Sequence, residues 1–137
     1  MPLAASVTLA VSALMAPQPM LGTTVAVLPE AQTVKEYVEI YFADVPVMID
    51  IARCESQFRQ FDKKGNILKN PGSSAVGVFQ IMSSLHKEPG AKMGMDINSV
   101  EGNLEYARYL YESSGTKPWN ASKHCWAKSY SGVLAKK

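Results

Sequence analysis

The first charged side chain of this 137-residue chain is Glu30; every Lys, Arg, Asp and Glu lies at or beyond it. The stretch from Leu3 to Ala16 is apolar and has the length of a signal-peptide core. Pro17 and Pro19 interrupt it, which argues against a straight membrane-spanning helix. Thr24-Val25-Ala26 supplies a small-x-small triplet suited to cleavage, although no Lys or Arg precedes the apolar run. Residues 1–29 therefore read as a signal peptide or an N-terminal anchor associated with a membrane. The alternative is a short apolar helix packed on the domain. In either case the fold belongs to residues 30–137, a length that suits one domain. With 19% charged and 47% hydrophobic residues the chain is not a disordered polar one. A net charge of +2 is too small to make nucleic acid the expected partner.

Within residues 30–137 the spacing of apolar side chains predicts helices. Val34, Tyr37, Val38, Tyr41 and Phe42 share one face of a helix over 31–43. Asp44 then suits an N-cap and Pro46 a first turn, opening a second helix over 46–58. Residues 62–74 are rich in turn formers and predict a loop or small ribbon. A third helix is expected from Val76 to His86, broken by Pro89-Gly90. A long helix over 99–114 follows, opened by Asn98 with Glu101 and closed by Gly115. The segment from Pro118 to Trp126 is aromatic and compact. The fold class is mainly α, or α+β with a short β-ribbon.

One position breaks the pattern. Continuing the stripe Met48, Ile51, Ala52 of the second helix lands on Glu55. A carboxylate on a buried face near a helix C-terminus is disfavoured by desolvation and by the helix dipole, and both raise its pKa. A glutamic acid kept neutral near pH 7 can protonate a glycosidic oxygen. The alternative is a side chain that reaches out past the stripe toward Arg53 or Arg59.

The flanking residues favour the first reading. Ile51-Ala-Arg-Cys-Glu-Ser-Gln-Phe58 is followed by Ser73-Ser-Ala-Val-Gly-Val-Phe-Gln-Ile-Met82. Asn103-Leu-Glu-Tyr-Ala-Arg-Tyr-Leu110 comes next, then Gly115 and Pro118-Trp119. This ordered series, over roughly residues 45–126, resembles the lytic transglycosylases of the goose-type lysozyme superfamily. The resemblance implies a compact lysozyme-like helical domain acting on peptidoglycan glycan strands, as a monomer and without a cofactor. It implies that Glu55 is the single acid/base, cleaving between N-acetylmuramic acid and N-acetylglucosamine to leave a 1,6-anhydromuramoyl end. Gln80 takes the place of the family's substrate-binding glutamine and Phe79 its hydrophobic neighbour. Gly77 allows close backbone approach. Ser73 or Ser74 stands for the family serine, Asn103 for its asparagine and Tyr109 for its tyrosine.

Two other readings compete. A hydrolytic lysozyme of the same superfamily needs a second carboxylate about 6.5–9.5 Å from the acid if it inverts, and Asp62 is the nearest in the following loop. A non-catalytic glycan-binding protein of the same fold has no need of a buried acid. Trp119 and Trp126 read as core residues, with sugar stacking as the alternative. Ser56 either caps the second helix or touches substrate. His86 and His124 lie at no metal-ligand spacing, so no metal is expected. The sequon Asn120-Ala-Ser122 carries little weight. If the chain is exported, to the periplasm, envelope or exterior, Cys54 and Cys125 can form one disulfide that clips the tail to the second helix. Two buried free thiols are the alternative.

Overall fold

The computed structural model describes residues 33–134. The expected export or anchor segment, residues 1–29, lies outside the described residues. The architecture is mainly α with one small antiparallel hairpin. Five α-helices occur among the described residues, in the order α1 (Val34–Tyr41), α2 (Pro46–Ser56), α3 (Ser83–Lys92), α4 (Val100–Ser114) and α5 (Lys123–Leu134). The hairpin β1 (Ala75–Val76) and β2 (Ile81–Met82) precedes α3, and a 3₁₀ turn (Lys117–Ser122) joins α4 to α5.

α1 starts where its cap is. The Thr33 hydroxyl accepts from the Glu36 N–H (3.1 Å) and the Glu36 carboxylate accepts from the Thr33 N–H (3.2 Å). This reciprocal pair satisfies two N–H groups that the first turn leaves free. α2 opens with Pro46 as expected, but Val45, without a side-chain hydrogen bond, occupies the cap position. Asp44 is engaged by Arg108 of α4 at 2.9 and 3.0 Å. The same guanidinium lies 4.9 Å from the ring centres of Tyr41 and Phe42 and donates to the Tyr41 carbonyl. Stacked and bidentate at once, Arg108 ties the α1–α2 junction to α4.

α2 buries Val47, Met48, Ile51, Ala52 and Ser56. It ends at Ser56, two residues short of expectation, because Gln57 and Phe58 adopt φ of 54° and 60°. Ser56 donates to the Ala52 carbonyl (3.2 Å) and accepts from the Arg59 N–H (3.1 Å), so it closes the helix and does not face solvent.

The helix expected from Val76 is instead the hairpin, with Ala75 opposite Met82 and Val76 opposite Ile81. Its turn requires φ of 74° at Gly77 and 48° at Gln80, which a right-handed helix cannot contain. Two buried amides hold this turn. Gln60 Oε1 accepts from the Val78 N–H (2.9 Å), and Gln60 Nε2 donates to the carbonyls of Ile97, Asn98 and Ser99. Asn103 Oδ1 accepts from the Phe79 N–H (3.0 Å), and its Nδ2 donates to the carbonyls of Val76 (3.2 Å) and Ile97 (2.9 Å).

α3 therefore begins later, at Ser83, and runs through Pro89-Gly90 to Lys92. Pro89 removes one helical hydrogen bond, yet the residue whose carbonyl is left over, Leu85, is 61% exposed. α4 is capped by Ser99, which accepts from the Gly102 N–H (3.0 Å), one residue later than the expected Asn98. Gly115 ends it with φ of 62°. The core joins Val38, Phe42, Met48, Ile51, Val78, Phe79, Ile97, Leu104 and Tyr106 with Trp119 and Trp126. The two tryptophans are core residues; the Trp119 indole donates to the Phe79 carbonyl (2.9 Å) and that of Trp126 to the Trp119 carbonyl (3.1 Å).

Candidate functional site

Glu55 sits one residue before the end of α2, half-buried where α2 packs against α5 and the 3₁₀ turn. Its carboxyl accepts a hydrogen bond from the Ser122 hydroxyl. Burial pushes its pKa above the ordinary glutamate value; the Ser122 hydrogen bond pulls the other way and is the weaker influence. Neither nearby arginine neutralises it. Arg53 donates to Ser129 Oγ (2.8 Å) and lies 3.9 Å from Asp50, and Arg59 donates to the Ser56 carbonyl (3.0 Å). The group is thus a carboxyl biased toward its neutral form and held by a hydroxyl.

The Ser122 end of this contact is fixed by the fold. Cys54, beside Glu55, is bonded to Cys125, three residues beyond Ser122. The sulfurs are 2.06 Å apart, and the bridge spans 71 positions. The alternative of two free thiols is thereby excluded. Such a bond is compatible with an exported protein.

A cleft of about 330 Å³ opens among β2, α3, α4 and the 3₁₀ turn. Gln80, His86, Leu110, Pro118 and Trp119 are among its walls. Glu55 is not in the wall. Trp119 lines the cleft, and Ser122 follows three residues later, past a kink in the 3₁₀ segment at Trp119. Gln80, in the wall, folds its amide back onto the Gly77 carbonyl (2.8 Å). A second, wider depression of about 550 Å³ along α3 has none of the expected site residues in its wall; Ser84, which lines it, pairs with Ser74.

The other expected site residues divide. Phe79 and Asn103 are fully buried, so neither can touch a glycan in this structure. Phe79 packs edge-on between Phe42 (5.2 Å) and Trp119 (6.0 Å), and Asn103 bonds only to backbone. Their part is to hold the Gln80 turn. Ser73 accepts from the Ala75 N–H (3.0 Å) and shapes the turn before β1. Ser74 pairs with Ser84 (2.8 Å) and ties that turn to α3. Tyr109, 41% exposed, lies against Tyr106 with ring centres 5.4 Å apart, and no hydrogen bond joins it to Glu55. The close approach that Gly77 permits is to Gln60 and Asn103, not to a ligand: a Cβ there would come within 2.5 Å of both.

Sequence reasoning passed over Gln60 and Ser122. Gln60 follows a helix end in a polar loop and carries no periodic signal. Ser122 lies 67 positions from Glu55, inside a sequon, with nothing local to mark it. Among the described residues no group of three or more His, Cys, Asp or Glu can hold a metal, and no helix is long and apolar enough to cross a membrane. Asp62, the carboxylate expected to serve a hydrolase, accepts from the backbone N–H groups of Lys64 (2.8 Å) and Asn66 (3.0 Å) and orders its own loop. No family model, curated protein or solved structure matches this chain.

Proposed function

We propose that the chain is an exported enzyme that cleaves peptidoglycan glycan strands as a lytic transglycosylase, with Glu55 as its one acid/base. The observation that carries this reading is the state of Glu55: a half-buried carboxyl, biased toward protonation by burial, with a hydroxyl and no guanidinium as its partner. In the reaction Glu55 gives its proton to the oxygen between N-acetylmuramic acid and N-acetylglucosamine as the bond from that oxygen to the anomeric carbon breaks. The carboxylate left behind takes the proton of the muramoyl 6-hydroxyl, whose oxygen closes onto the anomeric carbon. One bond to that carbon breaks, one forms, no water enters, and Glu55 ends protonated as it began. The engagement of Asp62 in its own loop favours this route over hydrolysis, because it leaves that carboxylate committed elsewhere.

The test uses purified protein and cell-wall sacculi, with products read by mass spectrometry. Wild-type protein is expected to release muropeptides with 1,6-anhydromuramoyl ends. Glu55→Gln is expected to lose turnover by at least about 10²-fold while still sedimenting with sacculi. Reducing ends alone would replace the transglycosylase with a hydrolase. Unchanged release by Glu55→Gln would remove Glu55 from the chemistry, and sacculus binding without release by the wild type would leave a glycan-binding protein.

A further inference from the structure

The Ser122 hydroxyl has two acceptors within reach, the Glu55 carboxyl and the Trp119 carbonyl (3.2 Å), and only one hydrogen to give. We propose that Ser122 is a positioning residue that follows Glu55 through its two protonation states. With Glu55 ionised, the hydroxyl donates to the carboxylate. With Glu55 protonated, the Ser122 hydrogen turns to the Trp119 carbonyl, and the oxygen is free to accept from the acid. The carboxyl thus keeps one partner in one place while the proton leaves and returns, which an acid that becomes a base within one turnover requires. The inference rests on the proposed role of Glu55 only for its effect on rate; the hydrogen-bond exchange itself does not depend on it.

The surroundings support a fixed donor with a free rotor. The Trp119 carbonyl is held by the Trp126 indole (3.1 Å), and the Trp119 indole is anchored on the Phe79 carbonyl (2.9 Å). The disulfide from Cys54 to Cys125 ties together the two segments that carry the contact, one residue from Glu55 and three from Ser122. The hydroxyl hydrogen swings between its two acceptors without moving the backbone. Burial and Ser122 are the two influences on the Glu55 proton, while Arg53 and Asp50 on the same helix are paired with each other. Lys117, Lys123, His124 and Lys128, the charged or titratable side chains of the 3₁₀ turn and the described part of α5, contribute none.

The test compares wild type, Ser122→Ala and Ser122→Thr by carboxyl-carbon NMR titration of Glu55 and by steady-state kinetics on glycan strands. Ser122→Ala is expected to raise the Glu55 pKa, because the hydrogen bond to the charged carboxylate is stronger than the one the neutral acid makes to the same oxygen. It is expected to lower kcat by roughly tenfold with KM unchanged, and Ser122→Thr to restore both. A Glu55 titration unmoved by Ser122→Ala, or moved equally by Ser122→Thr, overturns the proposal whether or not the protein turns over. A wild-type protein that cleaves no strand, with the titration shifted as expected, overturns the enzymatic reading and leaves the hydrogen-bond exchange standing.

Discussion

Asn103 has no exposed surface, and each polar atom of its amide is committed: Oδ1 to the Phe79 N–H, Nδ2 to the carbonyls of Val76 and Ile97. Gln60 does the same one residue earlier in the turn, on the Val78 N–H. Buried amides so placed replace strand partners that a two-residue hairpin is too short to supply. Asn103→Leu keeps the branched outline of the side chain and removes every one of these bonds. The Phe79 N–H is then buried without an acceptor, at a cost of about 3 kcal/mol. Urea unfolding is expected to show the midpoint falling with the m-value unchanged; a midpoint within error of wild type would show that the amide is dispensable. Gly77→Ala is expected to cost at least about 2 kcal/mol in the same measurement, since φ of 74° is strained for alanine and the added carbon meets Gln60 and Asn103 at 2.5 Å. At this scale the sequence exposed Glu55 because a helical stripe has a period, and a carboxylate on it is visible as a break. It hid Gln60 and Ser122, whose contacts reach 39 and 67 positions along the chain. It also marked Phe79 and Asn103 as substrate contacts, when a residue's place in a motif does not say whether it faces the cleft or the core.

The elements differ in how far local rules decide them. The cores of α1, α2 and α4 follow from apolar spacing, and α2 buries Met48, Ile51 and Ala52 as that spacing requires. Val76-Gly-Val-Phe-Gln-Ile-Met82 is an apolar run too short to separate helix from strand by period. The decision falls to Gly77 and Gln80, whose left-handed backbone is fixed by amides from distant segments. Asp44 looked like a cap because caps are local, but Arg108 from 64 positions away claims it. The most consequential pairing between elements is α2 on α5, joined covalently through Cys54 and Cys125. A bridge closing a loop of 71 positions is worth about 4 kcal/mol in the chain-entropy view. Reduction by a dithiol, or the double change of both cysteines to alanine, is therefore expected to lower stability by about that amount. Hydrogen exchange is expected to quicken first in α5 and the 3₁₀ turn, which the bridge holds against α2. Uniform quickening across α1 and α4 would mean that the bond stabilises the whole domain evenly and does not act as a local clip.

Across the whole molecule, the groups with displaced pKa values pull stability in opposite directions. Arg108 holds the exposed Asp44 carboxyl below its ordinary value, which favours the fold as pH rises. Burial lowers the pKa of His86, so its contribution is lost as pH falls from the value of the free imidazole through the lower folded one. Burial raises Asp50 and Glu55, which works the other way. In the unfolded chain Glu55 ionises near its ordinary value of 4.5; in the folded chain it holds its proton to a higher pH. Between those two values the folded state binds the extra proton, so stability declines as pH rises, and above the folded value the full penalty is in force. Glu55→Gln removes that one contribution and leaves Asp44, Asp50 and His86 in place, so the difference between variant and wild type isolates it. The difference in Tm is expected to be constant below about pH 4, to grow in favour of the variant as pH rises through the Glu55 transition, and to level off only above it. Thermal melts of both proteins in matched buffers at a series of pH values measure it directly. A difference that stays flat, or that turns against the variant with rising pH, would mean that the fold does not disfavour the carboxylate, and the case for Glu55 as a proton donor near pH 7 would lose its physical basis.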